Sequence, residues 1–243
     1  MMTFYLNSGA KQNLFRYGAD QARSRFAMYG CWGVDTNEFS PDGDRVRLAK
    51  DPNEIVLLYV GRLAEAKGVF DILSAFNAVQ SRLDQPVRLV IIGDGAERSR
   101  VTETVHRLGL SQRVDILGTI KNRDLPAYMR ASDIFVLAPK SNRLWSEQVG
   151  MVFLQAMATG VPIVATNSGS IQEFVPDGQA GFLVPESDPS ALAEAIVRLS
   201  SDPELRLKFG IQGLELTRSR YDIVKNITLI ERLIVQEFMN TLL

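Results

Sequence analysis

Short apolar runs, rich in β-branched residues, recur at positions 55–60, 87–92, 114–117, 134–137, 163–165 and 182–184, and each is followed by a stretch whose apolar positions return every three or four residues. The runs read as strands and the stretches between them as amphipathic helices. The runs lack polar alternation, as strands buried on both faces do, and strand-then-helix repetition builds a parallel sheet covered by helices. The expected fold class is α/β, a Rossmann-like doubly wound parallel sheet. Helices are predicted over 69–82, 96–108, 125–131, 150–159, 189–200 and 203–218. Asp188-Pro189 and Asp202-Pro203 each set a capping carboxylate before a proline at the first helical position, where its missing N–H has no intrahelical partner to lose. A last helix over 222–241 aligns Ile223, Ile227, Ile230, Ile234 and Phe238 on one face and needs a partner surface.

Residues 1–50 differ in character: an apolar stretch at 3–6, a helical pattern near 10–17, a passage rich in Gly, Asp and Pro, and a polar linker over 40–53. One strand, one helix and a linker do not make a domain. A length of 243 residues fits one complete domain plus appendages.

Composition narrows the function classes. With 46% hydrophobic and 23% charged residues the chain can bury a large core. Twenty-seven Lys and Arg against 28 Asp and Glu leave a net charge of −1, which argues against a nucleic-acid-coating protein and is compatible with a small basic pocket. A single cysteine, Cys31, rules out an internal disulfide and a cysteine cluster for zinc, and a single histidine, His106, rules out a multi-histidine metal site. No apolar run reaches the roughly 18 to 20 residues that span a bilayer, and the start of the chain lacks the signal-peptide pattern. A cytoplasmic location is expected, and peripheral contact with a membrane surface stays compatible with the pattern.

Two loops carry phosphate signals. The first predicted strand of the alternating region ends in Gly61-Arg62-Leu63-Ala64-Glu65-Ala66-Lys67-Gly68, and a helix follows at once. In an open parallel sheet, ligands bind at the carboxyl ends of strands, where helix N-termini point backbone N–H groups at anions. Two cations five residues apart and bracketed by glycines suit a diphosphate, although a βα loop with two solvated charges would look the same. It is not a P-loop, because Gly68 stands where Ser or Thr should take magnesium. The next strand ends in Gly93-Asp94-Gly95-Ala96-Glu97-Arg98, with Arg98 in place of the third glycine of a dinucleotide fingerprint. The acidic ribose hook of that fingerprint is missing too, since the following strand ends at Leu117-Gly118. A nicotinamide dehydrogenase is disfavoured.

A long loop, Lys140 through Val149, precedes the helix that starts near Gly150. On position alone its Glu147 reads as a carboxylate settled at a helix N-terminus, worth about 0.3 to 1 kcal/mol. Asp42-Gly43-Asp44 has the spacing of a metal-binding pair but lies in the linker and reads as a turn. His106 reads as an exposed or partly packed helix residue, and Cys31 beside Trp32 as a small apolar residue.

The motifs together resemble one family. Gly61-Arg62-Leu63, Lys67-Gly68, Gly93-Asp94-Gly95, Glu147-Gln148-Val149-Gly150 and Ala156-Met157-Ala158-Thr159-Gly160-Val161-Pro162 stand in the order seen in retaining, nucleotide-sugar-dependent GT-B glycosyltransferases similar to glycogen and sucrose synthases. The resemblance is to their C-terminal donor-binding domain and covers residues 33–240. Gly33-Val34-Asp35-Thr36-Asn37-Glu38-Phe39 is similar to the segment that crosses between the two lobes, and Glu173 to Gly178 with Gly181 to Val184 match the closing loop and strand.

The resemblance implies a division into residues 1–32 as a remnant of the acceptor lobe, 33–53 as the interlobe linker and 54–243 as the donor-binding domain. It implies a hexosyltransferase-type activity, with Arg62 and Lys67 clamping the donor diphosphate and Glu147 accepting from sugar hydroxyls as the catalytic set. Gly61, Gly93, Val149, Gly150 and Met151 would line the donor, and Gly118, Lys121 and Leu125 would border the base. No metal and no cofactor are implied. Where relatives carry a second glutamate eight residues after the first, this chain has Gln155, so a charge-assisted bond to the ribose becomes a neutral one. The expected partners are a nucleotide sugar and an acceptor lobe supplied elsewhere. A sugar-nucleotide-binding module without its own turnover is the alternative, and an epimerase would want acid and base groups beyond one histidine.

Overall fold

The computed structural model describes residues 2–5, 7–19, 25–28, 33–143, 145–148 and 150–242. In chain order the elements are β1 (Met2–Tyr5), α1 (Ser8–Arg16), β2 (Arg25–Met28), β3 (Ile55–Val60), α2 (Val69–Gln80), β4 (Val87–Ile92), α3 (Arg98–Arg107), β5 (Val114–Gly118), α4 (Leu125–Met129), β6 (Ile134–Leu137), α5 (Met151–Ala158), β7 (Ile163–Thr166), α6 (Ile171–Phe174), β8 (Gly181–Val184), α7 (Pro189–Ser201), α8 (Pro203–Arg220) and α9 (Ile223–Leu242).

Strands β3 to β8 form one parallel sheet in the order β5-β4-β3-β6-β7-β8. This is the doubly wound order, with consecutive strands stepping outward from β3 in one direction and from β6 in the other. Right-handed crossovers then set α2 and α3 on one face and α5 on the opposite one. Helix α7 packs on α2, and α8 on α5. All four residues of β6 and of β7 and all six of β4 are buried, which is why these strands read as apolar runs, interrupted in β4 by Arg88. Phe135 of β6 meets Phe153 of α5 edge-on at 5.8 Å between centroids and seats that helix on the sheet.

Helix starts follow their caps. Asp188 Oδ1 accepts from the Ala191 N–H at 2.9 Å and Asp202 Oδ1 from the Leu205 N–H at 2.8 Å, so the two Asp-Pro signals open α7 and α8 as expected. Helix α3 begins at Arg98, not at residue 96, because the Gly93-Asp94-Gly95 turn extends into Ala96 and Glu97. Gly150 is the left-handed N-cap of α5 and not its first residue.

Two elements depart from the sequence reading. Among the described residues before residue 40 there are two strands, β1 and β2, paired in parallel from Met2↔Arg25 to Tyr5↔Met28. Four residues that begin with an arginine are too short for a period to show. Helix α6 escapes for the same reason. Asp42 and Asp44 form the expected bend, with the Asp42 carbonyl accepting from Ser40 Oγ and the Asp44 carbonyl from Arg130 Nε.

At the amino ends of β3 and β4 sits a charge cluster that the sequence reading passed over. Arg88 Nε donates to Glu54 at 2.8 Å and its Nη1 to Asp115 at 2.8 Å, and the Arg88 and Glu54 side chains are 2% and 1% exposed. On α9, Val224, Ile227, Ile234, Val235, Phe238 and Met239 are exposed. Among the described residues no helix is long and apolar enough to cross a membrane.

Candidate functional site

Strands β3 and β6 are neighbours in the sheet, yet their crossovers leave in opposite directions. In doubly wound sheets the crevice that ligands enter lies where the crossovers part in this way. The β3 loop is residues 61–68, with a 3-10 turn at Glu65–Lys67, and the β6 loop is residues 138–150.

Two glycines bring these loops to contact distance. Gly68 has φ 68°, and a Cβ on it would stand 1.8 Å from the Ala138 carbonyl oxygen. The close approach lets the Lys140 N–H donate to the Ala66 carbonyl at 2.9 Å, while Lys140 Nζ pairs with Asp71 at 2.7 Å. Gly169, at φ 57°, lies so near Glu147 that a Cβ would stand 2.1 Å from the Glu147 carbonyl oxygen, and the neighbouring Ser170 N–H donates to that oxygen at 2.9 Å. The backbone of Glu147 is thus held from the β7 side, and its side chain is left to face the β3 loop.

There Glu147 Oε2 meets Lys67 Nζ at 2.5 Å, with the two side chains 12% and 17% exposed. The carboxylate engages the lysine across the crevice. Lys67 Nζ also lies 4.8 Å from the centroid of the Trp145 ring. Arg62 is exposed on the same loop, and its carbonyl accepts from the Tyr59 hydroxyl at 2.8 Å. Burial pushes that hydroxyl well above its ordinary pKa against the pull of Arg62, which keeps it a proton donor.

The remaining candidates fall into neighbouring groups. Gly61, Gly93 and Gly118 stand side by side at three strand ends, with the Gly61 N–H donating to Ile92 at 3.0 Å and the Gly93 N–H to Gly118 at 2.8 Å. Lys121 leads into the turn Asn122–Asp124 and is exposed, and Leu125 is buried at the start of α4. Gln155, half-buried in α5, donates from Nε2 to Asn122 Oδ1 at 3.2 Å, so α5 and the β5 loop meet at that amide pair. Met151 opens α5 and is half-buried. Val149 lies outside the described residues, as do Cys31 and Trp32. His106 is exposed in the last turn of α3.

Sequence reasoning missed the groups that brace the β6 loop. Asn7 is 1% exposed, and its Nδ2 donates to the Gln148 carbonyl at 3.0 Å. Ser8 ties the start of α1 to α6, donating from its N–H and Oγ to the Glu173 carboxylate at 2.9 and 2.7 Å. A lone Asn-Ser pair between a strand and a helix reads only as a cap. Trp145 gave a weak signal, an aromatic two residues before the candidate carboxylate.

The geometry defines a doubly wound α/β unit whose switch-point loops carry two basic residues and a carboxylate. Residues 42–215 match the family described as glycosyl transferases group 1, and the chain belongs to that family. It is 29% identical over 231 residues to a GDP-mannose-dependent alpha-(1-6)-phosphatidylinositol monomannoside mannosyltransferase of Mycobacterium tuberculosis, a match that covers 88% of this chain and 59% of that protein. Its fold is similar to sucrose-phosphate synthase from Thermosynechococcus elongatus, with a TM-score of 0.77, 25% identity, and 98% of this chain and 59% of that one covered. It is also similar to the solved C-terminal domain of a glycosyl transferase group 1 family protein from Francisella tularensis, with a TM-score of 0.67, 26% identity, and 79% of this chain and 100% of that one covered. The chain therefore spans about three-fifths of the two longer relatives and the whole of the isolated C-terminal domain.

Proposed function

We propose that this chain is the donor half of a retaining glycosyltransferase, which binds a nucleotide-diphosphate sugar in the crevice between β3 and β6 and presents it to an acceptor held by a complementary lobe. The observation that carries the reading is the Lys67–Glu147 pair at the switch point, with Arg62 exposed on the same loop. A diphosphate needs cations and a sugar needs hydroxyl acceptors, and these stand side by side. Arg62 and Lys67 bind the diphosphate and stabilise the charge that grows on it as the glycosidic bond breaks. Glu147 accepts from sugar hydroxyls, and N–H groups at the start of α5 face the sugar and phosphate. Gly61 and Gly93 let backbone approach the donor, Gly118, Lys121 and Leu125 border the base, and Gln155 faces the ribose. The reading uses no metal and no resident cofactor. The GDP-mannose dependence in the name of the mycobacterial relative supports a nucleotide-sugar donor.

Calorimetry with UDP, GDP and ADP tests the reading. One of them should bind, and Arg62→Ala should weaken that affinity by about ten- to a hundredfold, as the loss of a charge-assisted contact worth about 1.5 to 3 kcal/mol requires. Equal affinities for all three, unchanged in Arg62→Ala, would sink it.

A further inference from the structure

The aromatic neighbour of Lys67 has no part in the roles above. The ammonium has Glu147 at 2.5 Å on one side and the Trp145 ring at 4.8 Å on another. The two neighbours act differently. A carboxylate competes with any anionic ligand for the same N–H groups, whereas an indole face attracts the cation through its quadrupole and leaves those N–H groups available.

Trp145 is itself held independently of the ion pair. The Asn142 N–H donates to the Trp145 carbonyl at 2.7 Å, and the Trp145 N–H donates back to Asn142 Oδ1 at 2.8 Å. One residue earlier, Ser141 Oγ is 2.9 Å from Ser168 Oγ, and the Ser141 N–H donates to Glu186 at 3.0 Å. Ser168 is fully buried beyond the end of β7, so the turn that carries the ring is tied to the body of the sheet.

We propose that Trp145 is a positioning residue that keeps Lys67 in the crevice while the lysine exchanges one anionic partner for another, from the Glu147 carboxylate in the free chain to the diphosphate of a bound nucleotide. The proposal rests on the donor reading of the site. The exchange frees the Glu147 carboxylate at the moment when the sugar attached to that diphosphate arrives. Phosphate capture and hydroxyl recognition are thereby coupled through one ammonium, and the ring is the part of the arrangement that does not change. Without it, a lysine released by Glu147 would have to be ordered again by the ligand.

A double-mutant cycle tests this, read by calorimetry with whichever of UDP, GDP and ADP binds best. Trp145→Leu should weaken affinity by about two- to fivefold, and Trp145→Phe, which keeps an aromatic face, should restore most of it. In a Lys67→Met background the leucine substitution should have no further effect. The chain has two tryptophans, so labelling with 5-fluorotryptophan gives two fluorine resonances. One of them should move on Lys67→Met in the absence of any ligand, and the same one should move on titration with the nucleotide. Equal losses from Trp145→Leu in both backgrounds, or no loss in either, overturn the positioning role. If wild-type affinity still depends on Lys67 in that case, the donor reading stands without it. A folded wild-type chain that binds none of the three nucleotides overturns both.

Discussion

Lys67 and Glu147, eighty residues apart in the chain, pair at 2.5 Å across the crevice between β3 and β6. Each is presented by the loop at the end of a neighbouring strand, and the sheet reverses between those two strands. The pair means that in the free chain the cation expected to bind phosphate is already engaged. Glu147→Gln removes the competitor, so affinity for a free nucleoside diphosphate should rise by about two- to fivefold, in line with a partly screened ion pair. The preference for the nucleotide sugar over the bare diphosphate should fall in the same variant. Calorimetry with both ligands checks the two directions together, and a variant that keeps its sugar preference would remove Glu147 from the hydroxyls.

Gln155 and Asn122 share one hydrogen bond at 3.2 Å. In Gln155→Glu, Asn122 can turn its amide to donate to the new carboxylate, which then offers the ribose a charged acceptor. Nucleotide affinity should tighten by about fivefold to tenfold, the equivalent of roughly 1 kcal/mol. The gain should vanish for a 2′,3′-dideoxyribose analogue. Melting temperature measured alongside decides the alternative, since lower stability with unchanged affinity would place Gln155 away from the ribose.

The contact between Gly169 and Glu147 separates backbone strain from collision. Gly169→Ala places a methyl group 2.1 Å from the Glu147 carbonyl oxygen, whereas Gly109, at a similar positive φ of 70°, has nothing within 4 Å of its Cβ position. Gly109→Ala should cost about 1 kcal/mol of left-handed strain alone. Gly169→Ala should cost clearly more and should also blunt the preference for nucleotide sugar, because Glu147 has to move. Calorimetric unfolding of the two variants makes the comparison, and equal losses would contradict it.

The Arg88–Glu54–Asp115 cluster should matter for stability and not for the site, since it lies at the opposite end of the strands. Arg88→Ala leaves the buried Glu54 carboxylate without its main partner and should cost about 3 to 5 kcal/mol. Burial alone would raise the Glu54 carboxyl, but hydrogen bonds from Arg88, the Lys50 N–H and Arg113 hold it below its ordinary value of 4.5. The folded state therefore binds this proton less readily than the unfolded state. The stabilisation is fully present above the ordinary carboxylate range and is lost as pH falls through the lower, folded value. Urea unfolding followed from pH 6 downward should be steeper in wild type than in Glu54→Gln.

Turnover distinguishes a donor half from a self-sufficient enzyme. Positioning an acceptor against the donor carbon supplies several kcal/mol of rate acceleration, and the proposed acceptor side belongs to another lobe. The chain alone should bind nucleotide with little sugar transfer to any acceptor offered. Robust, Glu147-dependent transfer by the isolated chain would contradict the proposed division of labour.

Local chemistry made much of this readable from the residues in order. Strands buried on both faces are apolar along nearly their whole length, so β3, β4, β6 and β7 stood out, and Asp188 and Asp202 marked helix starts because a cap acts on the next three residues. The cations at 61–68 and the Glu147 loop read by position alone as solvated charges and a helix cap, and only the order of the motifs along the chain gave them roles in a site. What spacing could not supply was which loop faces which. The order β5-β4-β3-β6-β7-β8 decides that the first and fourth strands of the sheet are neighbours, and that neighbourhood alone turns Lys67 and Glu147 into a pair and sets Trp145 over the lysine. It also decides that Arg88, one charge in an apolar run, finds Glu54 and Asp115 on adjacent strands, and that Asn7 reaches Gln148 from the far end of the chain. Periodicity reports which face of an element is buried and is silent on its partner, because burial depends on a residue's own polarity whereas an ion pair or a stacked ring depends on two places brought together by the path of the chain.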